Sequence, residues 1–105
     1  MEAITAANFE SLVLQSEKPV LLDFWGPQCA PCLALKPSVE ALAASYAGRA
    51  NIYAVDATQN RRLCIQLRVM GLPSFLLFKG GLEVDRLTGA VTARDLEALL
   101  AKATA

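Results

Sequence analysis

The chain contains no histidine, and its 105 residues include only three cysteines, Cys29, Cys32 and Cys64. The first absence excludes a Cys–His hydrolase and any imidazole-bearing metal centre, and the second excludes a four-thiolate zinc site within one chain. An odd number of thiols also argues against a structural disulfide framework. Charge of either sign is not in excess: ten basic residues balance ten acidic ones. Neither nucleic acid nor an anionic membrane is therefore expected as a partner. Long apolar runs are missing too, since the longest candidate, Val20 to Trp25, is interrupted by Asp23 and falls far short of a membrane span. The opening Met-Glu-Ala-Ile-Thr has no basic segment leading into an apolar one, so no signal peptide is expected and the cytoplasm is the expected compartment. The chemistry left to the chain is that of thiols and carboxylates, with no cofactor expected.

At 54% hydrophobic, the chain has enough apolar material for one core without metal or disulfide staples. The expectation is a single domain over residues 1–105, working as a monomer. Asn8 followed by Phe9, Leu12 and Val13 predicts a helix over 8–16, with Asn8 as its cap. The continuous apolar stretch Val20–Trp25 suits a strand buried on both faces. Leu35, Val39, Leu42, Ala43 and Tyr46 form a helical stripe from Pro31 to about Ala47, interrupted by Pro37. Residues 51–56 read as a second buried strand, 58–67 as a short helix, and 74–79 as a third apolar strand. Gly80-Gly81 turns that strand into a returning one over 82–87. Thr92 caps a last helix carrying Leu96, Leu99 and Leu100. A weak first strand is placed at Ala3–Thr5. Strands alternating with helices and closing on a hairpin imply an α/β fold with a mixed sheet.

Cys29-Ala30-Pro31-Cys32 falls between a buried strand and a helix. At a helix start, free N–H groups and the positive end of the dipole favour a thiolate on Cys29. Cys32, almost one turn deeper, is spaced so that the two sulfurs can meet, and it can resolve a mixed disulfide formed on Cys29. Pro31 suits the first helical turn, where its missing N–H has no partner to lose. The competing reading makes both cysteines small core residues or half of a metal site. Asp23 interrupts the strand six residues before Cys29. Burial of a carboxyl raises its pKa, and this one is placed to exchange a proton with the Cys32 thiol. Alternatively it is a strand-end carboxylate satisfied by water or backbone. Cys64, between Leu63 and Ile65, reads as a structural thiol, with a regulatory or intermolecular role as the alternative.

Asp23-Phe24-Trp25, Cys29-x-Pro31-Cys32, Pro37, Asp56, Gly71-Leu72-Pro73-Ser74, Phe78-Lys79-x-Gly81 and Gly89 together resemble the thioredoxin family along the whole chain. The resemblance implies a thioredoxin fold with a five-stranded sheet of order 1-3-2-4-5, counted from Ala3–Thr5, and four flanking helices. It implies reduction of protein disulfides, with a thioredoxin reductase as electron donor. Cys29 would be the attacking thiol, Cys32 the resolving thiol and Asp23 the proton relay. It also implies a cis Leu72–Pro73 bond, with Leu72 offering backbone groups to an extended substrate. Trp25, Gln28, Ala30, Pro31, Leu72, Pro73 and Gly89 would form the substrate-binding surface. The chain departs from the family pattern at four positions. Gln28 stands in place of a tryptophan, Ala30 in place of glycine, and Leu33 in place of a basic residue. Ile52 occupies the position where a lysine often neighbours the buried aspartate. The two missing cations should leave Asp23 harder to ionise. The remodelled rim also keeps open a second reading, a thioredoxin-fold binding or chaperone-like module whose thiols are dispensable.

Overall fold

The computed structural model describes all of residues 1–105. Its regular elements are β1 (Val20–Trp25), α1 (Ala30–Ser45), β2 (Asn51–Asp56), α2 (Arg61–Gln66), β3 (Ser74–Lys79), β4 (Leu82–Thr88) and α3 (Ala93–Ala103), with a π-helical turn over Glu10–Leu14 and a 3-10 turn over Ala57–Gln59. The four strands form one mixed sheet in the order β2-β1-β3-β4. β1 pairs parallel with β2 and antiparallel with β3, so Asp23 lies between Ala54 and Phe75.

The alternation of side chains along a strand divides the core in two. Leu21, Ile52, Phe75 and Leu77 face α1 and α3, where Val39, Leu42, Tyr46, Leu96, Leu99 and Leu100 cover them. Val20, Leu22, Phe24, Leu76 and Phe78 face the opposite layer, covered by Ile4, Phe9, Val13 and Leu63. Because both faces of β1 and β3 are covered, these strands read as continuous apolar runs rather than alternating ones.

The expected five-stranded order 1-3-2-4-5 is corrected to four strands. At the proposed first strand only Ala3 bridges, in parallel, to Ala54. Ile4 N donates to Ala54 O and Ala54 N donates to Glu2 O, after which the backbone turns at Thr5. The expected first helix is also shorter than the apolar pattern suggested. Asn8 does not cap it: its Oδ1 accepts from Thr5 N at 2.8 Å and its Nδ2 donates to Ala3 O at 3.0 Å, tying the amide to the preceding segment. The expected helix over 58–67 is split at Asn60, whose backbone is non-helical and whose side chain donates to Asp56 O at 2.8 Å. Such side-chain-to-backbone bonding competes with helix continuation.

Elsewhere local chemistry and structure agree. Gly80 and Gly81 both have positive φ, as a two-residue hairpin turn of this twist requires. At Gly81 a Cβ would also stand 2.8 Å from Leu14 O. Thr92 and Asp95 form a reciprocal capping box, Asp95 N donating to Thr92 Oγ1 at 3.1 Å and Thr92 N to Asp95 Oδ2 at 2.9 Å. Arg86 of β4 binds the carbonyls at the end of α2, Leu67 O at 2.6 Å and Arg68 O at 2.9 Å, while Glu83 holds its guanidinium. That clamp ties β4 to the segment leading into residues 71–74.

Two substitutions separate core from cap. Leu96 is fully buried, and Leu96→Ala is expected to cost about 2–5 kcal/mol in urea unfolding. Thr92→Ala removes one cap bond and is expected to cost about 1 kcal/mol.

Candidate active site

The site forms where β1 ends. The chain leaves the sheet at Trp25 and crosses Gly26-Pro27-Gln28. It re-enters regular structure at Ala30, with Cys29 as the residue preceding α1. Cys29 N donates to Gly26 O at 3.0 Å, closing the loop. Cys29 Sγ accepts from Cys32 N at 3.3 Å, and Leu33 N donates to Cys29 O at 3.1 Å. The sulfur therefore accepts from one first-turn N–H, that of Cys32, at the positive end of the helix, an arrangement that favours negative charge on it in the reduced state. Pro31 lies in the first helical turn, and α1 continues through Pro37 to Ser45.

Cys29 and Cys32 are joined in a disulfide, with their Cα atoms 5.2 Å apart. The two sulfurs are unequal in access: Cys29 is half-buried and Cys32 is buried. A reagent arriving from solvent meets Cys29 first.

Behind the disulfide is a cavity of about 340 Å³, lined among others by Asp23, Trp25, Cys32, Lys36, Glu40 and Asp56. Asp23 is only 5% exposed. Burial pushes its carboxyl up to about 7, against an opposing pull from the Lys36 ammonium. Lys36 Nζ also lies 5.6 Å from the centre of the Trp25 ring, within cation–π range. Leu33 and Ile52 leave two cation positions without charge, yet positive charge reaches Asp23 from a third position. Ile52 is indeed apolar and buried in the core, but a cation reaches the site from α1, one turn beyond Leu33. The sequence signal for it was the spacing Cys32 to Lys36, which places the two on one helix face. Glu40, a further turn along, was missed for the same reason.

Leu72, Pro73 and Gly89 lie outside that cavity, whereas Leu33 lines it. Leu72–Pro73 is a cis peptide bond. Gly26 approaches Leu72 so closely that a Cβ there would be 3.3 Å from Leu72 Cδ1, which puts Leu72 against the loop leading into Cys29. Pro73 O accepts from Gly89 N at 3.1 Å, bringing Gly89 alongside it. Ser74 Oγ reaches Gly71 O at 2.6 Å and Thr88 Oγ1 at 3.2 Å, fastening this loop to the end of β4. Gln28, Ala30 and Pro31 are exposed, as is Leu33 at 44%. Cys64 does not join the site. It is a half-buried free thiol on α2, lining a separate depression with Ile65 and Met70, and burial pushes its pKa up, away from thiolate character. No cluster of three or more thiol or carboxylate side chains is arranged to hold a metal ion. No helix is long and apolar enough to cross a membrane.

Comparison with known proteins matches residues 1–102 to the family model described as thioredoxin. Thioredoxin 1 of a Nostoc species is 36% identical over 99 residues, spanning 94% of this chain and 92% of its own. Thioredoxin of a Synechocystis species is 35% identical with the same coverage. Thioredoxin C-2 of Corynebacterium nephridii is 38% identical over 96 residues, spanning 91% and 89%.

The raised Asp23 pKa sets a pH dependence of stability. The carboxyl titrates near 3.8 in the unfolded chain and about 7 in the folded one. Between these values the folded protein keeps a proton that the unfolded chain has lost, so stability falls as pH rises through this window. Asp23→Asn carries no such penalty. In urea unfolding of the oxidised protein, it is expected to exceed wild type by on the order of 3 kcal/mol at pH 8 and to match it at pH 4. An advantage equal at both pH values would contradict this account.

Proposed function

The chain belongs to the thioredoxin family, and on that premise we propose how its residues divide the work of dithiol–disulfide exchange. The protein is a dithiol–disulfide oxidoreductase that reduces protein disulfides. The observation that carries the proposal is the Cys29–Cys32 disulfide at the start of α1, with one sulfur half-buried, the other buried, and Asp23 in the cavity behind them.

In the reduced protein, Cys29 is the nucleophile. Its thiolate attacks one sulfur of a substrate disulfide; a Cys29–substrate bond forms, the substrate S–S bond breaks, and the departing substrate thiolate takes up a proton. Cys32 then gives its proton to the Asp23 carboxylate and attacks Cys29 Sγ. The Cys29–Cys32 bond forms as the mixed disulfide breaks, and the second substrate sulfur leaves as a thiolate that takes up a proton. Two electrons have passed from the protein to the substrate. The product is the oxidised state seen in the structure. Asp23 suits the accepting role because its pKa of about 7 lets both protonation states be populated near neutrality. The cavity it shares with Cys32 has room for water to carry the proton between them.

Substrate docks against Trp25, Gln28, Ala30, Pro31, Leu72, Pro73 and Gly89. Leu72 offers backbone groups to an extended segment, a form of strand addition. This is supported by the nearness of Leu72 to the loop before Cys29 and by the backbone bond between Pro73 and Gly89. The electron donor is a thioredoxin reductase, and the working compartment is the cytoplasm, where thiols are kept reduced.

Cys29→Ser is expected to abolish acceleration of insulin reduction by dithiothreitol. Cys32→Ser is expected to hold substrates on Cys29 as mixed disulfides, separable by non-reducing electrophoresis. A Cys29→Ser protein as active as wild type would sink the assignment.

A further inference from the structure

The cavity behind the disulfide contains one side-chain cation among three carboxyl groups. Asp23 enters from β1, Glu40 from α1 and Asp56 from the end of β2, while Lys36 enters from α1. Met1, whose residue carries the terminal amino group, lines it from the N-terminal segment. Burial opposes a negative charge on Asp23. Against it stands Lys36, anchored over the Trp25 ring. The strand position that would otherwise bring a cation beside Asp23 holds Ile52, packed among core side chains.

We propose that Lys36 is a positioning residue for the resolving step, its ammonium held by Trp25 so that the carboxylate form of Asp23 is available to accept the Cys32 proton. The proposal rests on the role of Asp23 given above and adds the group that makes that role workable. Removing the cation leaves Asp23 among carboxyls and apolar surface, where it keeps its proton further into the alkaline range and cannot serve as a base at neutrality. The ammonium is on the exposed side of the cavity, so its influence is screened by salt. Trp25 gains a second function here, as the surface that fixes where that charge sits.

The test follows two readouts in wild type, Lys36→Met, Lys36→Arg and Asp23→Asn. The first is the NMR titration of the Asp23 carboxyl carbon in the oxidised protein. The second is the pH profile of the resolving step, followed by rapid mixing with a model mixed disulfide on Cys29. Lys36→Met is expected to move both midpoints up by about one pH unit, lowering the resolving rate at pH 7 about five-fold. Lys36→Arg is expected to restore both, and the shift is expected to shrink at high salt. An Asp23 midpoint unchanged in Lys36→Met would overturn the assignment of Lys36 while leaving Asp23 as the acceptor. A midpoint that moves, in a protein whose rate profile is the same with Asp23→Asn as in wild type, would overturn the proton-acceptor role and this inference with it.

Discussion

Strand β1 is hydrogen-bonded along both edges, to β2 and to β3, and covered on both faces by side chains from opposite helical layers. It has no freedom to slip: a shift of one residue would carry Leu21 and Leu22 onto each other's face and break both cores. The site inherits that rigidity. The loop closed by the Cys29 N to Gly26 O bond has only a few residues in which to connect an immobile strand to the start of α1. The disulfide therefore sits at a fixed height above the sheet, and its geometry is set by the core rather than by the loop.

The same burial creates the electrostatic problem of the site. A carboxyl placed in the middle of β1 is costly to ionise, and that cost is what brings Asp23 to about 7. Placing the group there weakens the folded state at neutral pH and equips it to exchange protons at that pH. Stability and reactivity are opposed at this one residue. The opposition is moderated from α1, because the helix that presents Cys32 to the cavity presents Lys36 from the same face. Sulfur, carboxyl and ammonium are thus coupled through two elements, β1 and α1, that meet at the disulfide.

The dithiol was legible in the sequence because its meaning lies in local order: apolar strand, short loop, Cys-x-Pro-Cys, helical stripe. Asp23 stood out for an equally local reason, as the one charge in a run that otherwise reads as buried. Lys36 did not, since a lysine on an amphipathic helix ordinarily marks the wet face. Only the packing of α1 against Trp25 turns this one toward the site. The short first element was misread for a similar reason. Phe9 and Val13 do face the core as the helical spacing predicts, but Asn8 spends its amide on Ala3 and Thr5 instead of capping. At Asn60 too, a side chain bonded to the backbone decides where helix begins, and apolar periodicity carries no information about that competition.

A buried and an exposed environment meet at the disulfide. Asp23 and Cys32 form the buried end of the cavity, and the exposed residues Lys36 and Glu40 reach it from α1. Leu72, Pro73 and Gly89 lie outside that cavity, with Gly89 N donating to Pro73 O. Gln28, Ala30 and Leu33 are exposed and make none of the hydrogen bonds that position the sulfurs through their side chains. Substitution at Gln28 or Ala30 alters the exposed surface without touching the cavity lining, whereas Leu33 belongs to both. The unusual residues of this chain divide accordingly. Gln28 is confined to the exposed surface, whereas Leu33 and Lys36 both reach the cavity from α1 and Ile52 stays in the core. The exposed rim and the titrating carboxyl therefore share a wall, because Trp25 and Leu33 line the cavity that holds Asp23 and a change at either residue reaches both.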